Sequence, residues 1–248
     1  MDCAFCTEFA ALPRPGEGTR IICEMSGWVL LPTVGCFTPG YCLFMPLAHI
    51  DAAADAAPRE LLSLSAAAEE MRALISGVFG PVIIAEHGPR GCELGAGCCS
   101  HAHLHLIPVP DVNAVTAAYQ ATGGPGRRLE DLADLPGVVE GPYLYLSPWP
   151  SEHLLWPSTG FARQYARRVC AALQGVGDRF DWRDYSFDDN QALTVVDGTF
   201  IWTTNHDQRS CSFLPLSVVA KILADPELRS GWSARSEARV TTRTVDDH

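Results

Sequence analysis

Three histidines that recur at every second position constrain the fold of this chain more than any other feature. The segment His-Ala-His-Leu-His-Leu-Ile spans residues 101–107 and carries His101, His103 and His105. In a β-strand this spacing puts the three imidazoles on one face and directs the apolar residues between them into a core. Imidazoles about 7 Å apart offer nucleophiles, proton carriers or metal ligands, and strand geometry alone leaves these roles open.

The rest of the first half alternates between strand and helix patterns. Pro58 and Glu60 are typical of a helix start, and apolar residues at helical spacing continue to Val78. Short apolar segments bounded by Gly or Pro predict strands at 20–24, 28–31, 41–46 and 81–86, with 101–107 as the antiparallel neighbour of the last. We therefore predict an α+β fold, in which helices pack on an antiparallel sheet.

The composition excludes several classes of protein. The formal net charge of the 248 residues is −11, which would repel a phosphate backbone, so we expect no nucleic-acid partner. Ten cysteines are too few in a chain of this length for a disulfide scaffold. The sequence shows neither a secretory signal pattern nor an apolar run of the ~20 residues that a membrane span needs. We expect a cytoplasmic protein with reduced thiols and no membrane partner.

Several segments together resemble the histidine triad (HIT) superfamily of nucleotidyl hydrolases and transferases. Residues 101–107 follow the family's order of His, apolar, His, apolar, His, apolar, apolar, and the Gly-rich run 91–97 leads into them. Cys3-Ala-Phe-Cys6 opens the chain as in zinc-carrying bacterial members, and 39–49 is similar to the family's Gly-His, apolar strand and Pro-x-x-His segment. The resemblance implies a HIT-like catalytic domain at residues 1–110, followed by a C-terminal extension at 111–248.

The first implied site binds a metal. Cys3 and Cys6 form a C-x-x-C pair, which needs two further ligands to complete a tetrahedral zinc site. In the resembled family these are the histidine of the Pro-x-x-His segment and the first triad histidine, here His49 and His101. The resemblance thus implies a structural zinc ion. Two alternatives stay open: ordinary helix-face cysteines without metal, or one catalytic ion bound by His101 and His103.

The second implied site is catalytic. Nucleotidyl transfer needs a nucleophile that attacks an α-phosphorus and later leaves, and neutral imidazole does both near pH 7. The resemblance assigns this role to His103, with its Nδ1–H held by a backbone carbonyl, and assigns His105 to a phosphate oxygen. Backbone N–H groups of the loop that contains Gly97, Cys98 and Cys99 are expected to donate to the phosphate.

The chain departs from the family pattern at three places near this site. Tyr41 stands where the Gly-His histidine is usual, and Cys98 replaces the usual Ser or Thr. Pro32 or Thr33 falls where many members carry an Asp that binds the ribose. We expect Tyr41 among the substrate-binding residues. For His87, substrate contact and support of the loop are both open.

The second half carries no catalytic motif of its own. It predicts a helix at 111–120, strands at 143–146 and 153–156, a late hairpin at 193–203 and a last helix at 214–223. Arg163, Arg167 and Arg168 cluster on a predicted helix, where they either bind a phosphate or, as is more usual, form a solvated face. We expect this α+β extension to pack on the first domain and shape its pocket.

These features favour an enzyme that cleaves a phosphoanhydride or phosphoramidate bond of a nucleotide through a covalent nucleotidyl-histidine. A zinc-stabilised nucleotide-binding or regulatory protein with little turnover is the alternative, and zinc-dependent catalysis on triad histidines is a third hypothesis. The expected partner is a nucleotide-type small molecule, and a homodimer is compatible with the sequence. The base, the leaving group and the acceptor are left unassigned.

Overall fold

Within the residues that the computed structural model describes, which are 3–10, 23–25, 27–33, 35–38, 40–89 and 101–182, eight strands form one antiparallel sheet. The strands are β1 (Cys23–Met25), β2 (Trp28–Pro32), β3 (Cys42–Pro46), β4 (Val82–Gly88), β5 (Leu104–Pro108), β6 (Arg127–Leu129), β7 (Tyr143–Ser147) and β8 (His153–Pro157). Their order across the sheet is β1-β2-β3-β5-β4-β7-β8-β6. Every neighbouring pair is antiparallel.

Helices cover both faces of this sheet. They are α1 (Ala4–Ala10), α2 (Pro58–Phe79), α3 (Val112–Gly123), α4 (Leu135–Val138) and α5 (Tyr165–Leu173), with single 3-10 turns at 53–55, 132–134 and 177–179. The apolar stripe of α2 packs on one face, together with Leu104 and Leu106 of β5. On the other face, residues of α3 and α5 pack against the alternate side chains of the strands. The predicted α+β class is confirmed.

Several local predictions match the structure closely. The α2 helix starts at Pro58, where the Glu60 carboxylate accepts the Ala57 N–H at 3.1 Å, and ends before Gly80. The β1–β2 hairpin turns at Gly27, whose φ of +79° lies in the region that favours glycine. The predicted late hairpin and last helix lie outside the described residues.

The triad differs from the prediction because only its last histidine lies in a strand. The β3–β5 pairing ends with Phe44 opposite Leu104, and the same register would place residue 102 opposite Pro46. Proline has no N–H to donate to the ladder. Instead, the Pro46 carbonyl lies 2.7 Å from Nε2 of His101, and the Ala102 N–H donates to the Ile50 carbonyl at 2.8 Å. The strand therefore begins at Leu104, three residues later than predicted, and His101 and His103 precede it.

The sheet runs without a break across the predicted boundary at residue 110. Strand β4 pairs with β5 on one side and with β7 on the other, so a strand of the first segment lies at the centre of the sheet. Strands β8 and β6 extend the sheet beyond β7. The division into a domain and an extension remains a prediction, but the described parts of both share one sheet. No helix in the described part of the chain combines the length and the apolar character that a membrane crossing requires.

A buried carboxyl on β4 holds the 53–55 turn against the sheet. Glu86 is 1% exposed; its Oε1 accepts the Ala53 N–H at 2.7 Å and its Oε2 accepts the Tyr143 hydroxyl at 2.5 Å. Burial raises the pKa of Glu86 to about 7, although both hydrogen bonds act in the opposite direction. The side chain therefore takes up a proton within the neutral range of pH.

Replacing Glu86 with Gln should remove a pH dependence of stability. The folded protein holds this proton up to a pKa of about 7, whereas the usual value is 4.5, so the free energy of unfolding falls as the pH rises between them. Relative to Glu86→Gln, the wild type should lose on the order of 1–3 kcal/mol of stability between about pH 5 and pH 8. Urea unfolding curves at several pH values measure this difference.

Glu70→Gln is the matched control for the loss of one carboxylate, since Glu70 lies exposed on α2. If the free energies of unfolding of the wild type and Glu86→Gln differed by the same amount over this pH range, the result would contradict a neutral buried carboxyl.

Candidate functional site

Four side chains converge where the N-terminus meets the sheet. The Sγ atom of Cys3 lies 3.4 Å from Nδ1 of His101, and Sγ of Cys6 lies 3.3 Å from Nδ1 of His49 and 3.6 Å from Nδ1 of His101. All four ligand atoms lie within 4.8 Å of one another. Tetrahedral zinc, with bonds of about 2.0–2.3 Å, places its ligand atoms roughly 3.3–3.8 Å apart. The donor types are therefore those of a zinc site, and the three sulfur–nitrogen distances match its spacing.

Both imidazoles of this cluster are oriented by oxygen atoms on their far sides. Nε2 of His101 donates to the Pro46 carbonyl, and Nε2 of His49 lies 3.4 Å from a carboxylate oxygen of Asp51. A carbonyl only accepts, so the hydrogen of His101 lies on Nε2 and its Nδ1 lone pair faces the sulfur atoms. Burial lowers the pKa of His101, which favours the neutral ring. Such outer partners are typical of histidines that bind metals.

Helix α1 connects this cluster with the rest of the triad. The ring of Phe5 packs on His101 and on His103, with centroids 5.6 Å and 6.2 Å apart, and Phe9 packs edge-on against His101 at 5.8 Å. Cys6, Phe5 and Phe9 of α1, together with Cys3 just before the helix, therefore face the histidines. Fixing the N-terminus at the cluster also fixes an apolar wall beside His103.

The backbone of the triad itself orients His103. Nδ1 of His103 lies 2.7 Å from the carbonyl oxygen of His101, so in the neutral ring Nδ1 carries the hydrogen and Nε2 carries the lone pair. This carbonyl is the backbone partner that the sequence led us to expect. The ring is 4% exposed and lies edge-on to His105, with centroids 4.6 Å apart.

His105 is enclosed by polar groups and other rings. Its Nδ1 lies 2.7 Å from the Tyr41 hydroxyl, and its ring lies edge-on to His87 at 5.3 Å. Burial, with the neighbouring His103, holds the pKa of His105 well below its usual value, so this ring is neutral. Among the described residues, no group forms a hydrogen bond with its buried Nε2.

His87 joins the central strand to helix α5. Its Nε2 accepts the backbone N–H of Ala166 at 3.1 Å, and the side chain is 2% exposed. The first turn of a helix leaves N–H groups without partners inside the helix, and His87 provides one. Substrate contact and loop support both stay predictions for His87, and the observed bond gives it a part in holding α5.

Arg167 enters the site from the segment beyond residue 110, whereas the sequence favoured a solvated face for it over contact with a phosphate. It is 1% exposed, and its Nη1 donates to the Tyr41 hydroxyl at 3.2 Å and to Thr33 Oγ1 at 3.5 Å. Arg163 and Arg168 are exposed, as expected of a solvated face, but Arg167 is not. The sequence feature that could have indicated its burial is its position three residues before Cys170, on the buried side of α5.

The remaining predicted residues have two outcomes. Gly97, Cys98 and Cys99 lie outside the described residues, so their contact with phosphate stays a prediction.

A catalytic ion shared by His101 and His103 is disfavoured by the geometry. The two nitrogens of His101 face the cysteine sulfurs and the Pro46 carbonyl, whereas Nδ1 of His103 faces the His101 carbonyl.

No protein-family model matches the chain, and no curated protein matches it. Among solved structures, a zinc-bound histidine triad family protein from Mycobacterium smegmatis is 21% identical, over 44% of this chain and 75% of its own, with a TM-score of 0.36. A HIT-like protein involved in cell-cycle regulation from Bartonella henselae is 15% identical, over 41% of this chain and 73% of its own, with a TM-score of 0.34.

A hypothetical histidine triad nucleotide-binding protein from Sulfolobus tokodaii is 18% identical, over 43% of this chain and 68% of its own, with a TM-score of 0.34. All three are named as histidine triad or HIT-like proteins. Each match covers less than half of this chain at low identity. The chemistry of the site therefore rests on its own geometry.

A chain that ends at Pro110 should not fold stably. It would lack β7, which pairs with the central strand β4, and α5, which supplies Arg167 to Tyr41 and the Ala166 N–H to His87. Unpaired strand edges and exposed core surface favour aggregation. Circular dichroism during heating and size-exclusion chromatography, compared with the full chain, measure the effect. A soluble short chain with cooperative unfolding would contradict the dependence on residues beyond 110.

Proposed function

We propose that the protein is a nucleotide hydrolase or nucleotidyltransferase that acts through a covalent nucleotidyl-histidine on His103. The bond that breaks is a phosphoanhydride or phosphoramidate bond at the α-phosphorus. The observation that carries this proposal is the hydrogen bond from Nδ1 of His103 to the His101 carbonyl, at 2.7 Å. It selects the tautomer whose lone pair lies on Nε2, which is the nucleophilic form.

In the proposed first step, Nε2 of His103 attacks the α-phosphorus and forms a P–N bond. The leaving group departs with the electron pair of the broken bond, and the imidazole becomes positively charged. The His101 carbonyl stabilises this charge, because the Nδ1 hydrogen keeps its acceptor. In the second step, water or another acceptor attacks phosphorus as the P–N bond breaks and its electron pair returns to Nε2. The attacking group releases one proton and the departed leaving group takes up one, so the two steps balance overall.

His105 is assigned to the phosphate oxygens. Its ring lies beside that of His103, and its Nε2 is buried without a partner among the described residues. A donor in a buried site interacts strongly with the negative charge that develops at phosphorus. In this proposal, backbone N–H groups at Gly97, Cys98 and Cys99 supply further donors, while Tyr41 and His87 border the same space.

We further propose a structural zinc ion on Cys3, Cys6, His49 and His101. Four protein ligands close the coordination shell of zinc, so an ion here would cross-link the N-terminus to the sheet rather than act on the substrate. The arrangement that supports this is the convergence of two sulfurs and two Nδ1 atoms, with both far-side nitrogens directed at oxygen atoms.

A nucleotide-binding protein with little turnover is the second candidate. The observation that favours it is the hydroxyl of Tyr41, which occupies Nδ1 of His105 in a position where the resembled family carries histidine. Binding of nucleotides without product formation, in a screen of phosphoramidates, dinucleoside polyphosphates and nucleotide sugars, would select this candidate over the enzyme.

Replacing Cys6 with Ser should release the zinc ion and lower the melting temperature. We expect about one zinc ion per wild-type chain and a large loss in the variant, because a structural metal contributes folding free energy. Elemental analysis of purified protein and thermal unfolding measure both effects. Cys36→Ser is the matched control, since Cys36 is a buried cysteine outside the cluster whose Sγ donates to the Thr38 carbonyl. Equal zinc content in Cys6→Ser and the wild type would contradict the site.

Replacing His103 with Asn should lower turnover by orders of magnitude while leaving the fold and the zinc content unchanged, because the side chain is the nucleophile and not a metal ligand. His105→Asn should cost less, about 3 kcal/mol or under in activation free energy, since it removes one stabilising donor. Steady-state kinetics on a nucleoside phosphoramidate measures both losses.

His153→Asn is the matched control for these variants, because His153 is a buried histidine on β8 and is not part of the triad. Full activity in His103→Asn would overturn the proposed role of His103.

A further inference from the structure

Three side chains form a continuous set of hydrogen bonds from α5 to the triad. Nη1 of Arg167 donates to the Tyr41 hydroxyl at 3.2 Å, and the same hydroxyl lies 2.7 Å from Nδ1 of His105. All three residues are at most 2% exposed. Bulk water is thus largely excluded from this set, and the direction of each bond depends on the groups themselves.

The guanidinium group determines that direction. Arginine has donors and no acceptor, so the Tyr41 oxygen accepts from Arg167. Tyr41 has a single hydroxyl hydrogen, and Nδ1 of His105 is an acceptor at short range. If Nδ1 of His105 carried a hydrogen instead, this N–H and the Arg167 N–H would both point at the Tyr41 oxygen. The hydroxyl hydrogen of Tyr41 would then have to turn away from Nδ1 to another acceptor.

Arg167 is held firmly enough to impose this order. Its Nε donates to the Phe180 carbonyl at 2.6 Å, and its Nη2 donates to the Gly35 carbonyl. The guanidinium carbon lies 5.2 Å from the ring centre of Phe37 and 5.3 Å from that of Tyr41. The hydrogen bonds to the Phe180 and Gly35 carbonyls and the packing beside the aromatic rings fix the position of Nη1 relative to the Tyr41 hydroxyl.

The same helix is attached to the strand beside His105. The Ala166 N–H donates to Nε2 of His87, whose ring packs on His105. Ala166 and Arg167 are neighbours in sequence, so one attachment of α5 fixes both contacts. The segment beyond residue 110 therefore reaches His105 by two routes, one through a ring contact and one through hydrogen bonds.

We propose that Arg167 is a positioning residue that, through Tyr41, keeps the hydrogen of His105 on Nε2. In this form the buried Nε2 is a donor, and a phosphate oxygen of the substrate is the acceptor that completes it. A buried donor without an acceptor is costly, which is typical of a group that a ligand satisfies. The last step rests on the proposed function, whereas the tautomer of His105 does not.

The test is the nitrogen spectrum of the histidine side chains in the full-length protein. Long-range proton–nitrogen correlation NMR on ¹⁵N-histidine protein distinguishes Nδ1–H from Nε2–H, and His105→Gln identifies the signals of His105 among the eight histidines. We expect Nε2–H for His105 in the wild type. A wild-type spectrum with the hydrogen of His105 on Nδ1 would overturn the proposal without any variant at Arg167.

Two variants test the link itself. Arg167→Met removes the donor to Tyr41, so Tyr41 can then donate or accept, and the Nδ1–H form of His105 should increase several-fold. Tyr41→Phe breaks the connection while the two carbonyl contacts of Arg167 remain possible, so it serves where Arg167→Met fails to fold; the His105 signals should again shift. His105 signals at their wild-type positions in either folded variant would overturn the role of Arg167.

The chain contains its own control for these spectra. Nδ1 of His153 also forms a hydrogen bond with a buried tyrosine hydroxyl, that of Tyr145, at 2.6 Å. Its signals should be unchanged in both variants, and their loss would identify an unfolded sample. The spectra require no turnover. An inactive wild type with the expected His105 tautomer would therefore reject the proposed function alone, and an active wild type with the other tautomer would reject this proposal alone.

Discussion

The arrangement of this site depends on His101, because three polar atoms of this residue each contact a different part of the structure. Nδ1 faces the cysteine sulfurs, Nε2 donates to the Pro46 carbonyl, and the backbone carbonyl accepts from His103. The first contact connects the triad to the N-terminus, the second to strand β3, and the third sets the tautomer of the proposed nucleophile. The cluster of Cys3, Cys6, His49 and His101 and the ring of His103 are therefore connected through one residue and its backbone.

The second half of the chain completes the site from the opposite side. Strand β7 pairs with β4, and α5 brings a buried cation next to Tyr41 and His105. Burying a charge is costly unless it is paired or well hydrogen-bonded, and here two carbonyls and two hydroxyls receive the guanidinium N–H groups. Arg167 can be buried at this place because the fold brings these four oxygen atoms to the guanidinium group on α5.

The sequence predicted those features that depend on local patterns. Period-two alternation identified the strand of His105, and the apolar spacing from Pro58 identified α2 with nearly correct ends. It placed His101 and His103 in the same strand because alternation alone does not reveal where a partner proline ends the ladder. The grouping of the two cysteines with His49 and His101 came from the family resemblance, and the structure brings the four together.

Features that depend on distant segments were not predicted. Arg167 bonds to residues more than 120 positions earlier, and its position on the buried side of α5 does not identify these partners. Glu86 was visible only as a polar residue at the end of an apolar strand, while its partners lie on a turn and on β7. In both cases a polar side chain is buried because other parts of the chain supply its hydrogen bonds, which no local window contains.

The central claim, that His103 forms a covalent bond to the nucleotide, can be measured directly. Rapidly quenched protein, kept away from acid and incubated with a slowly turned-over nucleoside phosphoramidate, can be digested and analysed by mass spectrometry. The mechanism predicts a nucleotide mass added to the peptide that contains His103, with fragment ions that assign it to that residue. An adduct on Cys98 or Cys99, or product formation with no adduct at any quench time, would contradict it.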